Sequence, residues 1–433
     1  MKKNLLIIFI SFFSFNSVFA QDTFKAMFYN LLNFPLQTVP ANRIDHLKVI
    51  LSDAQPDLFM VCELNNESGA NSILSMIQLE INENYEMATF EFNTSDDDFG
   101  NQNDLQNLIF YDASKFSLES EHIVPTVFRD FNHYRLKLKT EDQDITPIFI
   151  EVIVGHLKSS DGPENQIIRL EMAEDLTDYL SALPEDSHIL FGGDLNVYRS
   201  SEYAFQELID PTNHITFTDP ANSIGPWHNN LDFLHVFTQS TRTASGMGGA
   251  TGGFDDRFDF ILTSESMEVS TENTSPDLFF VDGSYEVFGN NSNLDCFNKA
   301  ITSIDCEEDD NPDTPDYSET IREELFNFSD HLPVILQIES NQLFLSNPEY
   351  ETSNYYEIIG TNIISNTLNL HTNNQLLTTK KLNIFNTLGL LIMTIAVDNT
   401  ETHLVDVSHL SNGLYYITTP NFQVEPLKFV KVN

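Results

Sequence analysis

The stretch Phe326-Asn327-Phe328-Ser329-Asp330-His331-Leu332-Pro333-Val334 places an aspartate and a histidine directly before an apolar run. The Asp330 carboxylate is a hard oxygen ligand, and the His331 imidazole titrates near neutral pH. Such a polar pair is costly next to a core strand unless it faces a cleft. Taken alone the stretch is a weak signal, because ordinary turns are also rich in Asp and Asn.

Five other segments repeat this arrangement, with a polar residue at the end of a strand-forming run. They are Tyr29-Asn30, Cys62-Glu63, Gly155-His156-Leu157-Lys158-Ser159, Gly193-Asp194-Leu195-Asn196 and Arg257-Phe258-Asp259-Phe260. The six runs are short and apolar or alternating, which is typical of buried strands, and span 25–29, 57–61, 148–154, 188–191, 258–262 and 333–338. Segments from such distant parts of the chain converge only if their strands share sheets. Turn chemistry explains any one of them but not all six in this order.

In this order the segments between Asp22 and Glu339 resemble the endonuclease/exonuclease/phosphatase superfamily of metal-dependent phosphoesterases. The most specific pieces are Gly-Asp-Leu-Asn at 193–196 and Ser-Asp-His-Leu-Pro-Val at 329–334, followed by Arg-Phe-Asp-Phe-Ile-Leu at 257–262. The resemblance implies an α/β fold in which two packed β-sheets are flanked by helices, a four-layer αββα sandwich. The catalytic residues would lie at one rim of the sheets.

Helical spacing supports a layered α/β fold independently of the resemblance. It occurs at 43–51, 72–79 and 166–180, between the strand-forming runs. Strands that alternate with helices indicate a sheet covered by helices. The topology itself comes only from the resemblance.

By resemblance, Glu63 is the principal ligand of a divalent metal, with Asn30 and Asp330 beside it. Oxygen donors of this kind suit Mg²⁺, with Mn²⁺ or Ca²⁺ as alternatives. A divalent cation is needed because the attacked phosphate is negatively charged and repels a nucleophile. The sequence therefore predicts a metal-dependent hydrolase of phosphoester bonds.

The resemblance assigns the remaining roles to five residues. Asp194 is a candidate general base, and Asn196 a neutral partner that holds water or phosphate. His331 is the closing histidine, which Asp259 would orient as a carboxylate orients the histidine of a catalytic triad. His156 would contact the scissile phosphate or protonate the leaving oxygen. The residues leave open whether Asp194 or a histidine is the base.

The net charge limits the substrate without fixing it. The chain has 21 Lys and Arg against 65 Asp and Glu, a formal charge of −44. This argues against tight, sequence-independent binding of nucleic acid, which depends on Lys and Arg. It does not exclude a nuclease, because a metal in the cleft and Lys158, Arg169 and Arg257 near the motifs supply positive charge. We expect a non-specific extracellular endonuclease for DNA or RNA. The alternatives are a lipid or inositol-phosphate phosphodiesterase or phosphatase and, in another class, a non-catalytic surface adhesin.

The ends of the chain predict export. Residues 1–20 have the charged start, apolar stretch and small-residue cleavage site of a secretory signal peptide, and no other segment could anchor the chain in a membrane. The catalytic domain is expected at 22–340 and a separate domain at 345–433. We therefore expect a protein that is secreted or displayed on the outer cell surface, as a monomer.

The carboxy-terminal residues form a small all-β domain of sandwich type. Short alternating runs are separated by turn signals such as Asn386-Thr387-Leu388-Gly389 and Ser411-Asn412-Gly413. With the Leu-Ser-Asn-Gly-Leu-Tyr-Tyr-Ile segment at 410–417, this part resembles the sorting domains of the type IX secretion pathway, which makes the type IX machinery a partner. An adhesive or carbohydrate-binding sandwich is the alternative.

Two segments of the catalytic domain are predicted to be insertions. The glycine-rich stretch Ser245–Gly253 is expected to be a mobile loop, with a phosphate-binding nest as the alternative. Residues 282–327 are long for a connection between strands. They contain Cys296 and Cys306, which in an exported chain predict a disulfide. A zinc site is the alternative, although no His lies near them at ligand spacing. Cys62 lies within an apolar strand.

Overall fold

The structure, a computed structural model, describes residues 22–95, 105–269, 276–307, 315–345, 356–372, 381–387, 389–397, 402–418 and 426–432. The predicted signal peptide lies outside the described residues. The chain divides into two compact units, and the boundary falls between Leu345 and Ser346.

The elements of the first unit are numbered in chain order. The strands are β1 Asp22–Phe34, β2 Leu58–Leu64, β3 Tyr85–Met87, β4 Gln106–Asp112, β5 Phe116–Val124, β6 Phe131–Leu138, β7 Phe149–His156, β8 Ile189–Asp194, β9 Phe217–Thr218, β10 Asp259–Ser264, β11 Leu278–Phe280, β12 Glu286–Val287 and β13 Val334–Ser340. The α-helices are α1 Arg43–Ala54, α2 Glu67–Glu80, α3 Pro163–Leu180, α4 Tyr203–Leu208 and α5 Glu319–Phe328. Short 3₁₀ turns are Leu231–Val236, Glu265–Met267, Leu294–Cys296 and Ile304–Cys306.

The strands form two sheets whose topology brings the predicted motifs to one edge. The first sheet has the order β11-β13-β1-β2-β4-β3, with β12 also paired to β13, and the second has the order β5-β6-β7-β8-β10-β9. Strands β1 and β2 are parallel, as are β7 and β8, so their carboxyl ends lie at the same edge of each sheet. Strand β13 is antiparallel to β1, and β10 is antiparallel to β8. Asp259 and His331 therefore reach this edge from the amino-terminal sides of their strands.

The two sheets pack face to face with glycine at a point of close approach. A methyl group built on Gly192 of β8 would lie 2.8 Å from Met60 Sδ of β2 and 3.2 Å from Phe28 Cβ of β1. Any larger side chain would push the sheets apart, since protein cores are close-packed. Two strands of the first sheet and one of the second thus share the central core.

Helices cover the outer faces, which confirms the predicted four-layer arrangement. Leu47, Ile73 and Leu325 place α1, α2 and α5 in the core that includes the first sheet. Met172 and Phe205 place α3 and α4 against the outer face of the second sheet. No helix among the described residues is long and apolar enough to cross a membrane.

The long segment predicted as an insertion, residues 282–327, contains regular secondary structure in its described part. The segment contains helix α5. The Ser318 side chain caps the start of this helix by accepting a hydrogen bond from the Ile321 amide at 3.4 Å. Its apolar face buries Ile321, Leu325 and Phe328. The predicted disulfide between Cys296 and Cys306 is confirmed, and Cys62 is a buried free cysteine.

The second unit is all-β, as predicted. Its strands are β14 Tyr356–Ile358, β15 Ile363–Ile364, β16 Thr367–Thr372, β17 Lys381–Asn386, β18 Leu391–Ala396, β19 Thr402–Asp406, β20 Gly413–Thr418 and β21 Leu427–Lys431. They form sheets in the orders β14-β16-β19 and β15-β21-β20-β17-β18. Buried residues of both sheets, including Leu368, Ile384, Ile417 and Phe429, form one apolar core. The unit thus has its own core.

Candidate active site

The predicted site residues meet in a cleft of about 360 Å³ at the shared edge of the two sheets. Its lining includes six of them, namely Glu63, His156, Asp194, Asn196, Asp330 and His331. Asn30 and Asp259 are fully buried directly behind this lining. The backbone at Glu63 and Asn196 adopts positive φ angles of 57° and 51°, which are uncommon for residues other than glycine.

Asn30 and Asn33 hold Glu63 in place. The Asn30 amide nitrogen donates to Glu63 Oε1 at 3.1 Å and to Asp194 Oδ2 at 3.0 Å. The Asn33 backbone and side-chain nitrogens donate to Glu63 Oε2 at 3.0 and 3.2 Å. Asn30 Oδ1 accepts from the Leu32 amide at 2.9 Å. In this arrangement Asn30 bridges two carboxylates through its nitrogen.

Asp194, Asn196 and His156 form the part of the site carried by the second sheet. Asp194 Oδ1 accepts from the Asn196 amide at 3.1 Å, and Asp194 Oδ2 lies 3.5 Å from His156 Nε2. His156 Nδ1 is buried and has no hydrogen-bond partner among the described residues. Burial, together with Arg129, His331 and Lys158 nearby, lowers the pKa of His156 well below its ordinary value. These surroundings favour the neutral form of the imidazole.

His331 and Asp259 form the pair that the resemblance implied. His331 Nδ1 lies 2.7 Å from Asp259 Oδ2, and both side chains are buried. His331 Nε2 lies 2.6 Å from the Gln239 amide nitrogen and 3.8 Å from Asp194 Oδ2. Burial opposes a charged ring, but the carboxylates of Asp259, Asp330 and Asp194 outweigh it and raise the pKa of His331.

Asp330 is held by one oxygen only. Its Oδ2 accepts from the Ala250 amide at 2.6 Å and from Gln239 Nε2 at 3.1 Å. Its Oδ1 is buried and has no hydrogen-bond partner among the described residues. A buried carboxylate oxygen without a partner is costly, and it is a natural ligand for a cation.

The charges of the cleft fit a divalent cation. Burial and the neighbouring Asp330 raise the pKa of Glu63, although His331, the hydrogen bond from Asn30 and Arg129 act in the opposite direction. Burial raises the pKa of Asp194 to about 8. The charge of His331 opposes this shift, and the charges of Asp259 and Glu63 add to it. Crowded buried carboxylates take up protons when positive charge is short, and a bound cation would supply that charge. Asp194, Asp259 and His331 also bring ligand atoms within 4.8 Å of one another. Glu63 and the unpartnered Oδ1 of Asp330 line the same cleft, so the site offers oxygen donors for a metal ion.

Several cleft residues were missed from the sequence. Arg129, Tyr198 and Gln239 line the cleft, but none of them belongs to a motif at a strand end. Two basic residues near the motifs, Arg169 and Arg257, have a structural role instead. Arg169 pairs with Glu202 at 2.5 Å, and Arg257 binds both oxygens of Asp219 at 2.8 and 2.7 Å.

A family model matches part of the second unit. Residues 362–428 match the family model "Secretion system C-terminal sorting domain". No curated protein matches the chain in sequence.

Solved structures that resemble the chain do so at low identity. The human Nocturnin catalytic domain with bound sulfate is 15% identical, with a TM-score of 0.43 over 73% of this chain and 97% of that one. An endonuclease/exonuclease/phosphatase from Bacteroides vulgatus is 13% identical, with a TM-score of 0.45 over 74% and 99%. TDP2 from D. rerio, complexed with single-strand DNA product, is 13% identical, with a TM-score of 0.43 over 73% and 98%. The residues that match the sorting-domain model lie in the second unit, where the sequence predicted such a domain.

Proposed function

We propose that the protein is a secreted, divalent-metal-dependent phosphoesterase that cleaves phosphodiester bonds of DNA or RNA. One observation carries the proposal: four carboxylates and two histidines converge at one buried cleft, namely Glu63, Asp194, Asp259, Asp330, His156 and His331. The cleft has too little positive charge to balance these carboxylates. Glu63 and Asp330 would hold the cation, with Asn30 beside them, where its side-chain nitrogen bridges Glu63 and Asp194. The bound cation would neutralise the phosphate oxygens and assist the leaving group.

The chain's own residues would handle water, phosphate and protons. Asp194 would orient and deprotonate the attacking water, with Asn196 beside it as a neutral hydrogen-bonding partner. His156, as a neutral ring, would donate a hydrogen bond to phosphate. His331 would be held by Asp259 so that its Nε2 faces the cleft, where an imidazolium stabilises developing negative charge.

Nucleic acid is supported as substrate by an aromatic side chain in the cleft. Tyr198 lies in the lining, half-buried, and its ring packs edge-on to Phe258 at 5.0 Å between centroids. Bases stack on such rings without sequence preference. A lipid enzyme would expose aromatic residues to the membrane, and three candidates for this contact are buried or half-buried. Phe131 is fully buried, and Phe279 and Phe280 pair with β13 in the first sheet.

A small phosphoester is the second candidate, because one observation favours it. Arg129 is the single Arg or Lys among the described residues that line the cleft, whereas proteins that track a nucleic-acid backbone neutralise several phosphates. A head group such as an inositol phosphate needs only one such contact. The net charge of −44 points the same way.

A substrate panel tests the proposal. We expect the full-length protein with Mg²⁺ to nick plasmid DNA and degrade RNA, and to hydrolyse a chromogenic phosphodiester more slowly. Asp330→Asn protein, prepared in parallel, controls for contaminating nuclease. Hydrolysis of inositol phosphates or sphingomyelin vesicles, with intact DNA, would select the second candidate. No hydrolysis of any of them would overturn the proposal.

Removal of the second unit should separate catalysis from export. We expect a chain ending at Leu345 to fold and to retain full activity, because every proposed site residue and the core around it belong to the first unit. The same truncation, expressed in its native host, should no longer be released or displayed. Activity assays test the first expectation, and cell fractionation tests the second. A truncated protein that unfolds, or that still reaches the cell surface, would contradict the assigned roles.

A further inference from the structure

We propose that the glycine-rich loop, residues 245–253, is a positioning element for Asp330, and that the disulfide-closed segment, residues 296–306, holds the two ends of this loop. The inference rests on the proposed function, in which Asp330 is a ligand of the divalent cation. It assigns a catalytic purpose to two segments that the sequence predicts only as insertions.

The loop fixes one oxygen of Asp330 and leaves the other free. Its Ala250 amide donates to Asp330 Oδ2 at 2.6 Å, and Gln239 donates to the same oxygen at 3.1 Å. The other oxygen, Oδ1, is buried without a hydrogen-bond partner among the described residues. Hydrogen bonds to one oxygen of a carboxylate orient the other, as outer partners do around metal ligands.

Glycine at position 249 allows the loop to approach this closely. A Cβ atom built there would lie 2.5 and 2.6 Å from the two oxygens of Asp330. The backbone has a φ angle of +72°, which also favours glycine. Any side chain at this position would displace the Asp330 carboxylate or the loop.

Buried side chains hold the middle of the loop. Arg242 is almost completely buried, and its Nη1 donates to the carbonyls of Met247 and Gly248 at 3.3 and 3.2 Å. Gln37 donates to the Met247 carbonyl at 2.8 Å. The loop is thus anchored to the protein beside Asp330, in contrast to the mobile loop that its composition predicts.

The disulfide-closed segment holds both ends of the loop. At one end, the Ile301 amide donates to the Thr241 carbonyl at 3.1 Å, and the Thr241 amide donates to the Asp330 carbonyl at 3.0 Å. At the other end, the Phe254 amide donates to the Lys299 carbonyl at 3.0 Å, and the Asn298 amide donates to the Phe254 carbonyl at 3.1 Å. The disulfide joins Cys296 to Cys306, so all three contact residues lie within the closed ring. The disulfide-closed ring therefore contacts both flanks of the loop, which are also joined directly by hydrogen bonds from the Gly252 and Gly253 amides to the Arg242 carbonyl at 3.1 and 3.0 Å.

A pair of glycine variants tests the loop. Gly249→Ala introduces a methyl group against Asp330, whereas Gly246→Ala places it in open space at a φ angle that is also positive, +121°. We expect Gly249→Ala to weaken Mn²⁺ binding to the metal-free, full-length protein by about tenfold or more, the usual cost of disturbing an outer partner of a metal ligand. Gly246→Ala should bind Mn²⁺ as wild type does. Isothermal titration gives both values, and circular dichroism confirms that both proteins are folded. Equal affinities in the two variants would overturn the role of the loop.

Opening the ring tests the disulfide. We expect the Cys296→Ser/Cys306→Ser protein, and wild-type protein reduced with dithiothreitol, to bind Mn²⁺ more weakly than oxidised wild type while remaining folded. Reduction should change little in the Gly249→Ala variant, because the same contact with Asp330 is already lost. If the glycine variant does not fold, the reduced wild-type protein decides, and unchanged Mn²⁺ affinity after reduction would overturn the proposal.

Asp330→Asn separates this inference from the proposed function. If Asp330→Asn abolishes Mn²⁺ binding while Gly249→Ala and reduction do not affect it, the metal site stands and the positioning role is wrong. If Asp330→Asn binds Mn²⁺ as wild type does, Asp330 is not a ligand, and the assignment in the proposed function is wrong as well.

Discussion

Replacing Glu63 with Gln is expected to lower the rate of phosphodiester hydrolysis by roughly three orders of magnitude. A bound divalent cation contributes several kcal/mol to the transition state, and about 1.4 kcal/mol corresponds to a tenfold change in rate. Gln removes the charge that would attract the cation but keeps nearly the same volume. Steady-state kinetics with a chromogenic phosphodiester measures the loss. EDTA should abolish wild-type activity, and Mg²⁺ should restore it.

The fold of the Glu63→Gln protein should survive. One oxygen can still accept from Asn30 or Asn33, and the amide nitrogen loses at most one or two hydrogen bonds, a cost of about 1–3 kcal/mol. Burial and the nearby Asp330 already disfavour the charged carboxylate and raise its pKa, so removal of the charge offsets part of this cost. Glu80→Gln, at the exposed last position of α2, is the matched control. Urea unfolding checks stability. Full activity in Glu63→Gln, or activity indifferent to EDTA, would exclude the metal mechanism.

His331→Ala is expected to lower the rate by about 10²–10⁴-fold, the range that positioned acid-base groups contribute. Asp259→Asn should cost less, because it keeps a polar partner 2.7 Å from His331 Nδ1 but removes the charge that stabilises imidazolium. The double variant should be little slower than His331→Ala. Residues that act as a unit are not additive, since removal of one already removes the function of the other.

The double-mutant cycle distinguishes a pair from two independent residues. Values of kcat/KM for the four proteins give the coupling directly. A matched control is Asp219→Asn, which disturbs a buried ion pair with Arg257 instead of the pair in the cleft. Costs that simply multiply in the double variant would show that Asp259 does not act through His331, and catalysis would then depend on Asp194 and His156.

Much of the fold follows from the sequence because apolar periodicity reports burial locally. Strands β1, β2, β7 and β8 and helices α1 and α3 lie where alternation or helical spacing predicts them, with ends shifted by a few residues. Helix α5 was missed because it follows an acidic run within a long segment, so its apolar face of Ile321, Leu325 and Phe328 was not recognised.

The site was predictable only where its residues stand in motifs. Gly-Asp-Leu-Asn and Ser-Asp-His carry their neighbours with them, whereas Gln239 and Arg129 do not. Gln239 reaches His331 across 92 positions of sequence, and Arg129 lies in the short connection between β5 and β6. Such contacts depend on how loops fold over the sheet edge, which no local pattern encodes.

The pairing of β1 with β13 has a consequence for folding kinetics. Asp22 pairs with Ser340 and Phe28 with Val334, and the Ser329 hydroxyl donates to the Asn30 carbonyl across 299 positions of sequence. Contacts of such long sequence separation form late, because the entropy of closing the loop must be overcome first. A chain that leaves the ribosome with its amino terminus first cannot close this sheet, or bring Glu63 next to Asp330, until residues near 340 have also emerged. The proposed activity would therefore be acquired in one step once residues near 340 have emerged, before the second unit follows.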